Sequence, residues 1–120
     1  MAFLLVFIGG GLGSICRYSI GLWIQQTLQP KFPLATLAAN ALACLVLGML
    51  TGWQLEGALS DQRRLLLATG FCGGFSTFST FTAETWHLYQ SGQTTAALLN
   101  TALSLTVCWV CLFLGIKITH

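Results

Sequence analysis

Charged residues are missing from long stretches of this chain. Residues 2–16, 18–30, 32–55, 65–83 and 85–116 contain no Asp, Glu, Lys or Arg. A helix needs roughly 20 mainly apolar residues to cross the hydrocarbon of a bilayer. There the backbone must satisfy its own polar groups, which a helix does. The intervals between the runs carry turn chemistry: Gln29-Pro30-Lys31-Phe32-Pro33, Glu56-Gly57 through Ser60-Asp61-Gln62-Arg63-Arg64, and Gln90-Ser91-Gly92-Gln93. The pattern predicts an all-α integral membrane protein with one transmembrane domain over residues 1–120. Its four transmembrane helices would lie at about 2–28, 34–54, 62–90 and 94–117. Trp23, Trp53, Trp86 and Tyr89 then fall toward helix ends, where interfacial aromatics belong.

Composition removes the main alternatives. Only 7% of the residues are charged, against about 25% in a soluble domain. A soluble enzyme, a nucleic-acid binder and a disordered chain all fit poorly, and the net charge of +2 is too small to call for a polyanionic partner. The first apolar run lacks a basic start and continues past Arg17, so it is expected to be a helix and not a cleaved leader. The five cysteines, Cys16, Cys44, Cys72, Cys108 and Cys111, show no zinc spacing and no disulfide framework. They read as small apolar packing residues.

Four spans put both termini on one side, together with Arg63, Arg64 and Lys117, against Lys31 on the other. Orientation follows such asymmetry, and three against one, or three against two with Arg17, is a weak bias that permits insertion both ways. The glycine pairs Gly9/Gly13, Gly48/Gly52 and Gly70/Gly74 are each four apart, a spacing that lets helices approach closely in lipid. Four helices of this length enclose little space, so a solute pathway calls for a second subunit.

The polar residues inside the spans carry the functional information. Gly70-Phe-Cys-Gly-Gly-Phe-Ser-Thr-Phe-Ser-Thr-Phe-Thr-Ala-Glu84 places Gly73-Gly74 before a run of hydroxyls. A helix interrupted here would free carbonyls and amides at membrane depth, a recurrent way to build an ion site. The plain alternative is a kinked packing helix. Phe75, Phe78 and Phe81 recur every third residue. Aromatics at this spacing usually pack or face lipid; the alternation with hydroxyls suggests that some of them are ring edges that, with hydroxyl donors, line a route for a small anion. Asn40 and Thr36 share a face of the second span. The amide offers two donors, which suits an anion, or it joins two helices. Arg17 is a candidate for attracting anions, for snorkelling or for satisfying a helix terminus. Glu84, the one acid inside a span, pairs with Arg17, lines a water-filled entrance or carries protons. Ser104 and Cys108, one turn apart, extend a polar track or simply pack.

At these residues the chain resembles the Fluc (CrcB) family of fluoride ion channels. The matching elements are Gly9-Gly10 through Arg17-Tyr18, the segment from Thr36 to Asn40, and above all Gly70 through Phe81. The resemblance implies an antiparallel, dual-topology homodimer, or a pair of unlike subunits, in the bacterial inner (plasma) membrane. It implies a broken third helix, two fluoride pores and a structural sodium ion, with no organic cofactor and no enzymatic activity. Sodium would be held by the backbone carbonyls of Gly73 and Ser76. The pore positions matched are Asn40, Thr36, Phe78, Phe81, Ser79, Thr80, Ser104 and Cys108, with Arg17 and Glu84 at the vestibule. Ser76 stands where the family usually has Thr, Ala35 where Gly is common, Cys108 where Ser is usual, and Leu112 where a further hydroxyl is common. Two other classes compete. A proton-coupled small multidrug exporter has this size and span count but uses an acid in the first helix, where this chain has only Arg17. A non-transporting membrane assembly subunit would use every glycine pair and polar residue for packing.

Overall fold

The computed structural model covers residues 1–120 and is all-helical. Helix α1 runs over Ala2–Thr27 and α2 over Leu34–Leu55. Residues 61–75 form α3, made of a short α-helical start at Asp61–Arg63, a π-helical stretch at Arg64–Cys72 and a last turn at Gly73–Phe75. Ser76 and Thr77 are extended, with φ/ψ of −85°/157° and −152°/121°. Helix α4 follows over Phe78–Gln90 and α5 over Thr94–Thr119. Helices α1, α2 and α5 are each long and apolar enough to cross a membrane.

The ends obey local chemistry. Ser60 caps α3 by accepting a hydrogen bond from the Arg63 amide at 3.3 Å. Helices α2 and α4 close through Gly57 and Gly92, whose φ values of 74° and 85° lie in the left-handed region. In both turns the residue after glycine donates back to the helix, Ala58 to the Trp53 carbonyl and Gln93 to the Leu88 carbonyl, each at 2.9 Å.

Glycine decides which helices touch. A side chain at Gly9 would run into the Leu66 carbonyl, with the Phe71 nitrogen only 2.9 Å from its Cβ, and Gly13 is closed off in the same way by Phe71 and Phe75. Gly70 and Gly74 complete the contact from α3, against Gly9 and Gly10. Gly48 and Gly52 of α2 meet Leu112, Gly115, Ile116 and Thr119 of α5, and Gly115 in turn faces Leu45, Gly48 and Met49. The fold is therefore two backbone-close pairs, α1 with α3 and α2 with α5, and the three glycine pairs seen in the sequence all serve them. Between the pairs, Phe75 is buried against Ala39 and Ala43, with Ile20 and Phe71 packed around them.

The large side chains point outward. Phe3, Phe7, Leu12 and Ile15 of α1, and Leu98, Leu105, Trp109 and Phe113 of α5, are all exposed. Such a continuous apolar exterior is incompatible with water and is the surface of a protein covered by lipid or by another subunit. Trp86 and Tyr89 stack at 5.5 Å near the end of α4 and, like Trp23 and Trp53, remain exposed.

Gly48→Leu is expected to separate α2 from α5 and to destabilise the fold by about 1–3 kcal/mol or more, the usual penalty of overpacking. Gly21→Leu, where a Cβ meets nothing within 4 Å, is expected to leave stability unchanged. Thermal denaturation of the detergent-solubilised protein, followed by loss of the monodisperse peak, separates the two.

Candidate functional site

The extended pair Ser76-Thr77 interrupts the helical hydrogen-bond ladder: Ser76 makes its last amide bond, and the backbone groups of Thr77 are met from outside it. Asn40 of α2 takes both polar groups of Thr77. Its Oδ1 accepts from the Thr77 amide at 2.8 Å, and its Nδ2 donates to the Thr77 carbonyl at 3.1 Å. A carboxamide pairs with an extended backbone residue as a neighbouring strand would. The pairing fixes which end of the amide is oxygen. It occupies one of the two Nδ2 protons and leaves the other. Arg17 Nε reaches the Gly74 carbonyl at 3.4 Å, and the same residue borders the wider of the two spaces that flank the start of α4.

Ser76 turns both its amide, at 3.0 Å, and its hydroxyl, at 2.8 Å, back to the Cys72 carbonyl. The Ser76 carbonyl accepts no hydrogen bond from the chain, and the Gly73 carbonyl loses its ordinary donor, because the Thr77 amide goes to Asn40. Gly73-Gly74 itself is helical, with Gly73 at φ −63°, ψ −38°. The doublet does not leave the helical region; Gly74 provides the close approach to Gly10.

Thr77 also starts α4. Its Oγ1 accepts from the Thr80 amide at 3.2 Å and donates to the Thr80 hydroxyl at 3.1 Å. The Thr80 proton is thereby left for another acceptor. Ser79 lies 3.3 Å from the same Thr77 oxygen and is exposed. Phe78, the first residue of α4, keeps 76% of its surface exposed, and its ring centroid lies 5.7 Å from that of Phe81. These two rings line a groove of about 540 Å³ together with Thr82, Thr85, Trp86, Tyr89 and Thr101.

A wider cavity of about 760 Å³ brings together Arg17, Thr36, Thr80 and Glu84, with Tyr18, Lys31 and His87. One carboxylate oxygen of Glu84, Oε1, is buried without a hydrogen-bond partner. Thr36 is buried at the cavity wall. The two spaces lie on either side of the first turns of α4, with Thr80 on one and Phe81 on the other.

The fourth-helix candidates divide. Ser104 is buried and donates to Asn100 Oδ1 at 3.4 Å. Cys108 lies instead beside Cys44, between α2 and α5, and lines neither space. Asn100, which the sequence reading did not single out, donates from Nδ2 to Thr85 Oγ1 at 2.8 Å. Its signal was available: Asn100 and Ser104 share one helix face inside a run that contains no charge.

An apolar exterior, small-residue helix contacts and hydroxyl- and aromatic-lined spaces within the spans define a multi-pass membrane protein. The chain belongs to the family described as CrcB-like protein, Camphor Resistance (CrcB), whose model matches residues 4–116. It is 45% identical over 116 residues to a "Fluoride-specific ion channel FluC" of Thermus thermophilus, covering 97% of this chain and 91% of that one. It is 50% identical over 100 residues to "Fluoride-specific ion channel FluC 2" of Bacillus subtilis (strain 168), covering 83% and 73%. The "Fluoride-specific ion channel FluC" of Pyrococcus abyssi (strain GE5 / Orsay) is 42% identical over 113 residues, covering 93% and 90%.

Asn40→Leu is expected to strip both hydrogen bonds from Thr77, at about 1–3 kcal/mol for each backbone group left buried and unpaired. Amide hydrogen exchange in nanodiscs reads this directly. The Thr77 amide should exchange much faster in the variant, while amides in the middle of α5 keep their protection.

Proposed function

We propose that this chain is a passive, selective fluoride ion channel that lets cytoplasmic fluoride out and so lowers its toxicity. The observation that carries the reading is the capped start of α4. There the exposed Phe78 ring stands beside Phe81 on one side of the first turns, and Thr80, which has a proton to donate, faces the cavity on the other, in a chain whose relatives are named fluoride-specific ion channels.

The chemistry is dictated by the anion. Fluoride is small and strongly hydrated, so a pore must replace its water with several donors at once. The second Asn40 amide proton, the hydroxyls of Thr36, Ser79 and Thr80, and the positive ring edges of Phe78 and Phe81 supply such donors without a trapping charge. The positive end of the α4 dipole adds to them. Chloride, larger and less demanding of close donors, is excluded by fit. Ser104 and Cys108 stand further along α5, where Ser104 gives its proton to Asn100 and Cys108 packs beside Cys44, so neither adds a free donor to this set. Arg17 and Glu84 set the field of the vestibule. Fluoride that enters a cell as its neutral acid ionises and is trapped, and a passive path then releases it down its electrochemical gradient. No covalent step is needed.

One membrane domain of this kind works as an antiparallel, dual-topology homodimer, or with an unlike partner subunit, in the bacterial inner membrane. The exposed apolar faces of α1 and α5 and the weak charge bias support that arrangement. Its third membrane segment acts as a broken helix at Ser76-Thr77. The donor-free Ser76 carbonyl and the Gly73 carbonyl that has lost its usual donor suit a hard monovalent cation. These carbonyls would hold the structural sodium at the subunit contact. When bound, it would neutralise the converging carbonyl dipoles and add fixed positive potential.

Proteoliposomes loaded with potassium fluoride test the reading. Fluoride efflux is expected only once valinomycin releases potassium, chloride-loaded vesicles should stay silent, and Phe78→Ile should abolish efflux in a protein that still migrates as a dimer. Efflux without valinomycin, or Phe78→Ile at the wild-type rate, would remove the passive-pore assignment.

A further inference from the structure

Asn100 is the most deeply buried large polar side chain in the protein, at 2% exposure, and it belongs to none of the motifs that carry the family resemblance. Its contacts form a directed chain. The Thr85 hydroxyl donates its single proton to the Phe81 carbonyl at 2.8 Å, so toward Asn100 it can only accept. Asn100 Nδ2 supplies that bond, also at 2.8 Å, and Ser104 donates to Asn100 Oδ1 at 3.4 Å. Each partner's role is forced by the next. The chain crosses from α5 to α4 and ends on the backbone of Phe81, whose ring faces Phe78. Thr85 and the two rings border the same groove.

A threonine bonded to its own i−4 carbonyl changes the local course of a helix. With its oxygen also anchored to a neighbouring helix, the turn that carries Phe81 has one setting. We propose that Asn100 is a positioning residue for conduction: acting through Thr85, it fixes the Phe81 turn and hence the spacing of the Phe78–Phe81 ring pair. Its consequence for flux rests on the fluoride-channel reading; its consequence for Phe81 does not.

The test uses the full-length protein in four forms: wild type, Thr85→Val, Asn100→Leu and the double variant. Fluoride efflux is measured in liposomes. In fluoride-free buffer, the ¹⁹F resonance of 4-fluorophenylalanine placed at Phe81 reports the ring environment. Each single variant should lower efflux at least about tenfold. The double variant should fall no further, because both changes cut one chain. Thr85→Ser should conduct as wild type does. The ¹⁹F resonance should move alike in Thr85→Val and Asn100→Leu. Thr85→Val keeps the side-chain shape, so it carries the test even where Asn100→Leu fails to fold. An unmoved resonance in folded Thr85→Val, or losses that multiply in the double variant, would overturn the proposal. A silent wild type would bring down the channel reading, while the ¹⁹F comparison would still decide whether Asn100 holds Phe81.

Discussion

The organisation of the site depends on one pair of hydrogen bonds, those between the Asn40 amide and the backbone of Thr77. Two extended residues between helices at membrane depth would otherwise bury unpaired donors and acceptors, at several kcal/mol for each group. Asn40 removes that penalty for Thr77 and leaves the chain free to start a new helix at Phe78 with Thr77 as its cap. This start sets the exposed Phe78 ring, the Thr80 proton with no assigned partner, and the separation of the two lined spaces across the first turns of α4. On the other side of the interruption Arg17 performs the same service for Gly74. An amide from α2 and a guanidinium from α1 thus hold the two ends of an interrupted ladder, and neither helix pair could be exchanged without losing one of them.

The π-helical stretch Arg64–Cys72 ends one short turn, Gly73–Phe75, before the extended residues. A π-helix is wider than an α-helix and rare, found mostly as single turns, so a nine-residue run is unusual. Here it lies where α3 meets α1 through glycine on both sides, with Gly9 against Gly70. That contact brings two backbones together without side chains between them, so packing from α1 supports the unusual winding. The close pairs therefore do more than hold helices together: they support the segment from which the extended residues emerge.

Much of the architecture was legible in the charge-free runs. The expected spans 2–28, 34–54 and 94–117 differ by one or two residues from Ala2–Thr27, Leu34–Leu55 and Thr94–Thr119, because charge and turn residues mark where a helix leaves hydrocarbon. The glycine pairs were legible as contact points for the same kind of reason: their spacing fixes a face. The π-helix was not, since a bond to i−5 in place of i−4 leaves no trace in residue type. Gly73-Gly74 is helical and the extended residues are Ser76 and Thr77, which a glycine doublet does not distinguish, because it signals conformational freedom and close approach alike. In the site, Asn40 was legible as a polar residue needing a partner, but its partner, a backbone 37 residues away, was not. For Asn100 the face shared with Ser104 is legible in the sequence, but its hydrogen-bonding neighbour Thr85, on another helix across the turn at Gly92, is not.

The interior assembled this way is made largely of alanine and glycine around Phe75, with all four tryptophans and many of the leucines and phenylalanines outside. Heat-capacity change on unfolding tracks the apolar surface newly given to water. In a bilayer the separated helices would still present those same side chains to lipid, and little such surface changes hands. Stability then rests on backbone contact and hydrogen bonds, with only a small contribution from the hydrophobic effect between helices. Such a protein should have a shallow stability curve, with neither a pronounced optimum temperature nor a cold limit, and the thickness and order of the surrounding lipid should govern its persistence more than temperature itself.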